Sequence, residues 1–277
     1  MRLVGDAEAA RAYLRRDMPL WAWPICTLGP REWPFVRLWV ASGTVTDPDE
    51  PVRYTNKNSE ISPLAGGPAG VWILDHPGWG GGLQAFGDVT VLEQMLQGIV
   101  LPGRAFIRTV PAASHVLESR YRFEWLDPIV RMYATSEMLI EPPLMEFVEP
   151  LTLDDAGALV ALYDHWPESK FHPSRMRQGY QYVGVREGRR IVAVAEQTLA
   201  APDDGLAVVQ GVLVDPDRRG RGLAGAVTAA MTRRLFDAGF PDVVLDVRER
   251  NLPALAAYAR IGFRKHVTLV AGPAVAL

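Results

Sequence analysis

Apolar positions in the second half of the chain follow two periods in alternation. Leu223, Val227, Met231 and Leu235 recur four residues apart within 221–238, which predicts an amphipathic helix closed by Gly239. Around it lie short apolar runs with strand character: 146–151, 180–186, 190–199, 206–214, 242–248 and 263–270. Thr152 reads as the N-cap of a helix running through Tyr163 to His165, and Asn251 as the cap of one over 252–260 that ends at Gly262. The polar turn Glu187-Gly188-Arg189 joins two of the runs as a hairpin. The predicted order is β-α-(α)-β-β-β-α-β-α-β.

The first half has a different texture. Strand-like runs at 35–40, 71–74, 105–110 and 129–134 mix with helix-like runs at 7–16, 89–97 and 112–121, which predicts a second α/β unit of unspecified strand order. Of eight tryptophans, all but Trp166 precede residue 130, so the two halves should have different cores. Glu141-Pro142-Pro143 can neither continue a helix nor sit in a central strand. We therefore expect domains at 1–141 and 145–277, a division that 277 residues readily allow.

Composition narrows the function classes. With 29 Lys+Arg against 32 Asp+Glu, the chain lacks the basic excess of a nucleic-acid binder. Cys26 is the single cysteine, so no intramolecular disulfide or cysteine-based zinc site can form, and a cytoplasmic location is expected. The amino terminus carries charges where a signal peptide is apolar, and no uncharged apolar run of ~18 residues occurs, so no membrane association is expected. His76 follows Asp75 but lacks the further ligands that a metal needs, and no metal is assigned.

The segment Val212-Leu213-Val214-Asp215-Pro216-Asp217-Arg218-Arg219-Gly220-Arg221-Gly222-Leu223-Ala224 leads from a strand into the long helix. The first amides of a helix have no partner within it, and the aligned peptide dipoles make that end positive. Gly220, Gly222 and Ala224 admit an anion to those amides, and Arg218, Arg219 and Arg221 add formal charge. No Gly-Lys-Ser/Thr follows, so this is not a Walker loop. Gly220-x-Gly222-x-x-Gly225 matches a dinucleotide fingerprint by letter, but five residues separate the strand from the first glycine, too many for a tight Rossmann turn. ATP and NAD are disfavoured.

Arg219-x-x-Gly222-x-Ala224 after a V-x-V-x-P strand resembles the acetyl-coenzyme A signature of the GNAT superfamily, [QR]-x-x-G-x-[GA]. A later stretch, Leu245 to Phe263, resembles the GNAT pattern L-x-V-x-x-x-N-x-x-A-x-x-x-Y-x-x-x-G-F at every fixed position. The resemblance implies a GNAT fold, a mixed central sheet flanked by helices in an α/β (α+β) class, using acetyl-CoA as co-substrate. It implies that the amides of Arg219, Gly220, Arg221, Gly222, Leu223 and Ala224 hold the pyrophosphate, and that the backbone of Leu213 and Val214 pairs with the pantetheine arm. Asn251 would contact the cofactor, and Tyr258 would stand near the thioester sulfur. In layout the chain resembles GNAT proteins with a degenerate GNAT-like first half, the glycine N-acyltransferase-like group among them.

Amine attack on a thioester needs a donor for the departing thiolate and an acceptor for the ammonium proton. Tyr258, a phenol, suits the first role; at ~100° per residue it lies ~60° aside from Leu255, at the border of the helix's buried face. The base that the family carries on a central strand is unmatched, since 206–214 offers only Gln210. Glu196 and Asp246 remain as in-strand carboxylates; each reads first as a solvent-facing residue, and Glu196 ranks ahead as a base. His165 and His172 fall in the stretch that borders the acceptor in this family. The expectation is an N-acetyltransferase acting on a primary amine of a small molecule. The alternatives are a non-catalytic acyl-CoA-binding regulatory module and a protein or peptide N-acetyltransferase.

Overall fold

The computed structural model describes residues 1–41, 69–77, 80–166, 169 and 171–277, so Gly78 and Trp79 lie outside the described residues. The chain divides into two compact units: Met1–Arg131 with Arg248–Arg250 and His266–Leu277, and Met132–Val247 with Asn251–Lys265.

The first unit contains β1 (Arg2–Leu3), α1 (Ala7–Leu14), α2 (Ala22–Ile25), β2 (Val36–Val40), β3 (Gly70–His76), β4 (Gly80–Phe86), α3 (Val89–Gln97), β5 (Arg104–Thr109), α4 (Ser114–Glu118) and β6 (Tyr121–Phe123). Asp6 and Asp88 cap α1 and α3 by accepting amide hydrogens at 2.8 and 3.0 Å, satisfying donors that the first helical turn leaves open. Strands β1 to β4 pair antiparallel in sequence, and β4 then pairs parallel with β5. Trp21, Trp23 and Trp72 are buried in this core, with Trp21 edge-on to Phe86 at 4.8 Å. Arg131 is buried too, its guanidinium donating to the Leu20 carbonyl and standing 4.4 Å from the Trp23 ring. Among the described residues, β4 is the one long strand that the apolar pattern hides, because it opens with Gly80-Gly81-Gly82. A β-carbon on Gly81 would collide with the Arg104 carbonyl oxygen, so close approach of β4 to β5 requires the glycine.

Strand β7 (Asp127–Thr135) has residues in both units. The second unit then runs β8 (Val148–Leu151), α5 (Ala156–Tyr163), α6 (Pro173–Arg177), β9 (Gln181–Glu187), β10 (Arg190–Ala201), β11 (Leu206–Val214), α7 (Leu223–Asp237), β12 (Asp242–Arg248), α8 (Leu252–Arg260) and β13 (Arg264–Ala276), whose later residues belong to the first unit. This is the order predicted from the pattern. Thr152 does cap: its hydroxyl accepts from Asp154 N at 3.3 Å while the Asp155 carboxylate accepts from Thr152 N at 2.8 Å. The predicted stripe Leu223, Val227, Met231 and Leu235 is buried, and α7 packs on β10 and β11. α7 begins two residues later than its pattern, because Gly222 has φ +81°, outside the helical region.

The break at Arg131/Met132 falls earlier in the chain than the proline-marked join. The intervening segment packs with the second unit: Ile140 N donates to Ile261 O at 3.0 Å, and Arg233 Nε pairs with Glu141 at 2.7 Å. Among the described residues, no helix is long and apolar enough to cross a membrane.

Candidate functional site

The glycine- and arginine-rich turn is built by the residues on either side of it. Asp215, buried at the end of β11, accepts from Asp217 N at 3.0 Å and pairs with Arg190 at 2.5 Å, fixing a short helical turn over Pro216–Arg218. Arg218 then spans both oxygens of Glu187 at 2.9 and 3.1 Å. That ion pair commits Arg218 to the protein, so it is not the spare positive charge that composition had suggested. Arg219 lies over the Trp166 ring at 5.5 Å, and Arg221 is exposed.

Gly220 and Gly222 both adopt left-handed backbone, with φ +75° and +81°. Nothing lies within 4 Å of a β-carbon built on Gly220, and only Leu144 approaches one on Gly222, at 3.6 Å. Conformation rather than crowding therefore selects glycine, and the space beside the helix start stays open. No side chain caps the start of the 15-residue α7. Arg219, Gly220, Arg221 and Gly222 are exposed, Ala224 is half-buried, and Leu223 turns into the core. Uncapped amides, a positive dipole end and an exposed guanidinium are the donor set that a pyrophosphate requires. The residues present thus fit an acyl-coenzyme A at this turn.

Strand β11 leads to the turn along an open edge. It pairs parallel with β12 over Leu206–Val208, whereas its pairing with β10 continues to Leu213↔Val194 and Val214↔Ala193. Beyond Val208 the β12-side edge of β11 has no strand partner among the described residues. Asp215 N donates to Val192 O at 2.8 Å on the β10 side, so by strand alternation Val214 presents its backbone groups to the open edge and to an extended ligand carrying amides, whereas Leu213, expected to share that role, turns its own toward Val194 of β10.

On β10, across β11 from this edge, lies a buried carboxylate. Glu196 on β10 is 2% exposed, contrary to the solvent-facing position expected of it. Register shifts in the β10–β11 ladder flank it on both sides, and bulges of this kind re-aim side chains. Its cross-strand neighbours are Gln210 on β11 and Tyr182 on β9. Arg175 Nη1 on α6 reaches Oε1 and Oε2 at 3.2 and 3.5 Å, and the Tyr163 hydroxyl on α5 stands 3.5 Å from Oε2. Burial pushes the Glu196 carboxyl above its ordinary range, opposed in part by Tyr182, Arg175 and Tyr163. A carboxylate held in this way is a stronger base than a solvated one. Asp246, the other candidate, is half-buried on β12.

Tyr258 is the buried residue of α8, at 7% exposure, so it faces the centre of the packed side rather than its border. The helix lies against the start of α7: a β-carbon on Gly225 would sit 3.5 Å from Ile261. Burial raises the Tyr258 hydroxyl well above the usual phenol range, with Thr228 of α7 acting in the opposite sense. It remains a proton carrier and donor at neutral pH. Asn251 caps α8, its Oδ1 accepting from Ala254 N at 3.3 Å. His165 and His172 are exposed.

Gly211, Tyr163, Tyr182 and Arg175 escaped the sequence reading. Gly211 alone carried a signal, as a lone glycine within a strand pattern. It has φ +57° in β11, and a β-carbon there would lie 2.8 Å from Glu196 Oε2 and 3.0 Å from the Tyr163 hydroxyl.

Comparison with known proteins agrees with this geometry. Residues 146–263 match the model of the acetyltransferase (GNAT) family. A mycothiol acetyltransferase of Clavibacter sepedonicus is 47% identical over 62 residues, 22% of this chain and 20% of that protein. One from Saccharomonospora viridis is 46% identical over 50 residues, 18% and 16% of the two chains. The matches thus span about a fifth of these relatives' length. A GNAT-family acetyltransferase from Colwellia psychrerythraea superposes over 98% of both chains with a TM-score of 0.53 and 12% identity. A GCN5-related N-acetyltransferase from Kribbella flavida covers 75% of this chain and 86% of its own at 0.50 and 19%. At these identities the solved structures bear on the fold alone. The β8-to-β13 arrangement, the glycine turn opening α7 and the match over residues 146–263 together make this region of the chain a GNAT acetyltransferase domain.

Proposed function

We propose that the chain transfers an acetyl group from acetyl-CoA directly to a primary amine of a small molecule, with the chemistry in the module of residues 145–277. The observation that carries this reading is the register Glu196↔Gln210. β11 lacks a carboxylate at Gln210, and the strand beside it supplies one opposite that position, buried and with a raised pKa. The main support for a non-catalytic acyl-CoA-binding module, the missing acidic residue on β11, is thereby weakened.

When bound, acetyl-CoA supplies the thioester carbonyl that the amine attacks. The amides from Arg219 to Ala224 would hold its pyrophosphate, and the backbone of Val214 would align its pantetheine arm along the open edge of β11. Glu196, directly or through one water, takes the proton that the ammonium must lose before its nitrogen becomes a nucleophile. Tyr258 gives a proton to the departing sulfur. Asn251 orders the start of α8, and so the placement of Tyr258 two turns later.

A small-molecule acceptor is favoured by the mycothiol acetyltransferases among the relatives. Residues 1–141 are read as a second, GNAT-like α/β module, in keeping with the full-length superposition on the Colwellia protein. The reaction is assigned to the cytoplasm on the cysteine argument. The test is a thiol-release assay with acetyl-CoA and a panel of amines, amino acids and aminoglycosides. Transfer abolished by Glu196→Gln supports the reading; coenzyme A binding without thiol release from any acceptor favours a regulatory module.

A further inference from the structure

Among the described residues, the Glu196 carboxylate faces one cation. Tyr163 approaches it from α5, Tyr182 from β9 and Arg175 from α6, while β11 contributes the uncharged Gln210 and Gly211. α7 also packs on β10, and its buried residues are all uncharged. Burial raises both phenols well above their ordinary range, so neither carries charge near neutral pH. Their hydroxyls can orient a carboxylate but cannot compensate for its charge.

Arg175 differs in placement as well as charge. Its side chain is 41% exposed while that of Glu196 is 3% exposed, so the guanidinium bridges from the protein surface to a buried carboxylate. A buried carboxylate without a cation becomes neutral, and a neutral carboxyl cannot accept a proton from an ammonium group.

We propose that Arg175 is the positioning residue of this site, its guanidinium clamping both Glu196 oxygens and holding that side chain as an anion in one orientation. The inference rests on the reading of Glu196 as the base. During a turnover an N–H bond of the ammonium breaks and an O–H bond forms on Glu196. The guanidinium then disfavours the protonated carboxyl and returns its proton to water, leaving the carboxylate ready for the next acceptor. Arg175 thus acts through Glu196.

The experiment compares wild type, Arg175→Met, Arg175→Lys and Glu196→Gln, using kcat/KM for the amine from pH 5.5 to 9.5. Methionine keeps much of the arginine stem and removes the charge. Arg175→Met should lose ~tenfold or more at pH 6.5 and converge on wild type by pH 9.5, since one pH unit in the base's midpoint is a tenfold change in its ionised fraction. Arg175→Lys should fall between, and KM for acetyl-CoA should stay within ~twofold, as expected of a residue remote from cofactor binding. A uniform loss at every pH, or an unchanged profile, overturns the proposal. If Glu196→Gln leaves the acidic limb intact, the base assignment itself fails. Carbon-13 NMR of carboxyl-labelled glutamate, with Glu196 identified by its absence in Glu196→Gln, reads the same ionisation without turnover. Glu196 should titrate at higher pH in Arg175→Met, and coincident midpoints overturn the proposal.

Discussion

Gly211 leaves room for Glu196: a β-carbon on the glycine would stand 2.8 Å from Glu196 Oε2. Because Gly211 also has φ +57°, alanine there is strained as well as crowding. Gly211→Ala should cost about 1–2 kcal/mol of stability, the penalty for an L-residue in left-handed backbone. It should lower kcat further than that loss explains, because the new methyl displaces a carboxylate or a phenol. Chemical unfolding and steady-state kinetics on the same preparation check both parts. Wild-type kcat in a destabilised variant would dissociate Gly211 from the chemistry.

Glu196 should also leave a mark on stability against pH. Its folded-state pKa is raised above the ordinary 4.5. The folded state therefore holds this proton more tightly than the unfolded chain, and Glu196 costs stability as pH rises from 4.5 through the folded value. Glu196→Gln has no such titration. The melting temperature of Glu196→Gln relative to wild type should thus become more favourable between pH 4.5 and pH 8. A difference independent of pH would contradict a buried, titrating carboxyl.

Gly222→Val tests the turn. Its φ of +81° is difficult for a β-branched residue, and the added branches would cover the first amides of α7. Acetyl-CoA affinity should fall more than ~tenfold, about 1.4 kcal/mol. Calorimetry reads it directly. Unaltered affinity would place the cofactor elsewhere.

For Tyr258→Phe, the ring stays in the core and the hydroxyl is lost. If the hydroxyl donates to the leaving sulfur, kcat should drop ~10²-fold with coenzyme A affinity unchanged. Stopped-flow transfer and equilibrium binding separate the two. Equal kcat values would reduce Tyr258 to a packing role.

The elements legible in the sequence are those governed by local forces. Asn251, Thr152, Gly222 and Gly239 mark helix ends through hydrogen bonds and φ angles set within a few residues, and the α7 stripe follows from helical period alone. β4 was illegible because its glycines answer to the backbone of β5, a neighbour that only the folded sheet supplies. The same holds for the base. A glutamate in an alternating strand gives no sign of its depth, and Glu196 is buried by α5, α6 and two register shifts that no single-strand pattern records. Helical angles alone put Tyr258 at the edge of the buried face of α8, whereas the packed neighbour α7 decides which side of a short helix is covered.

The two ion pairs of the β9–β10 turn bear on how fast a coenzyme can be captured. Glu187 and Arg190 stand at either end of that turn, and each grips one end of the short helical turn before Arg219, through Arg218 and Asp215. The glycine turn thus has its shape before any ligand arrives, and little chain entropy is left to lose on capture. Association should be a single bimolecular phase without a slow isomerisation after it. Because Glu187, Arg190 and Arg218 remain partly in contact with water, added salt should loosen this mould and screen the phosphates together, so the rate should fall more steeply with ionic strength than phosphate screening alone predicts.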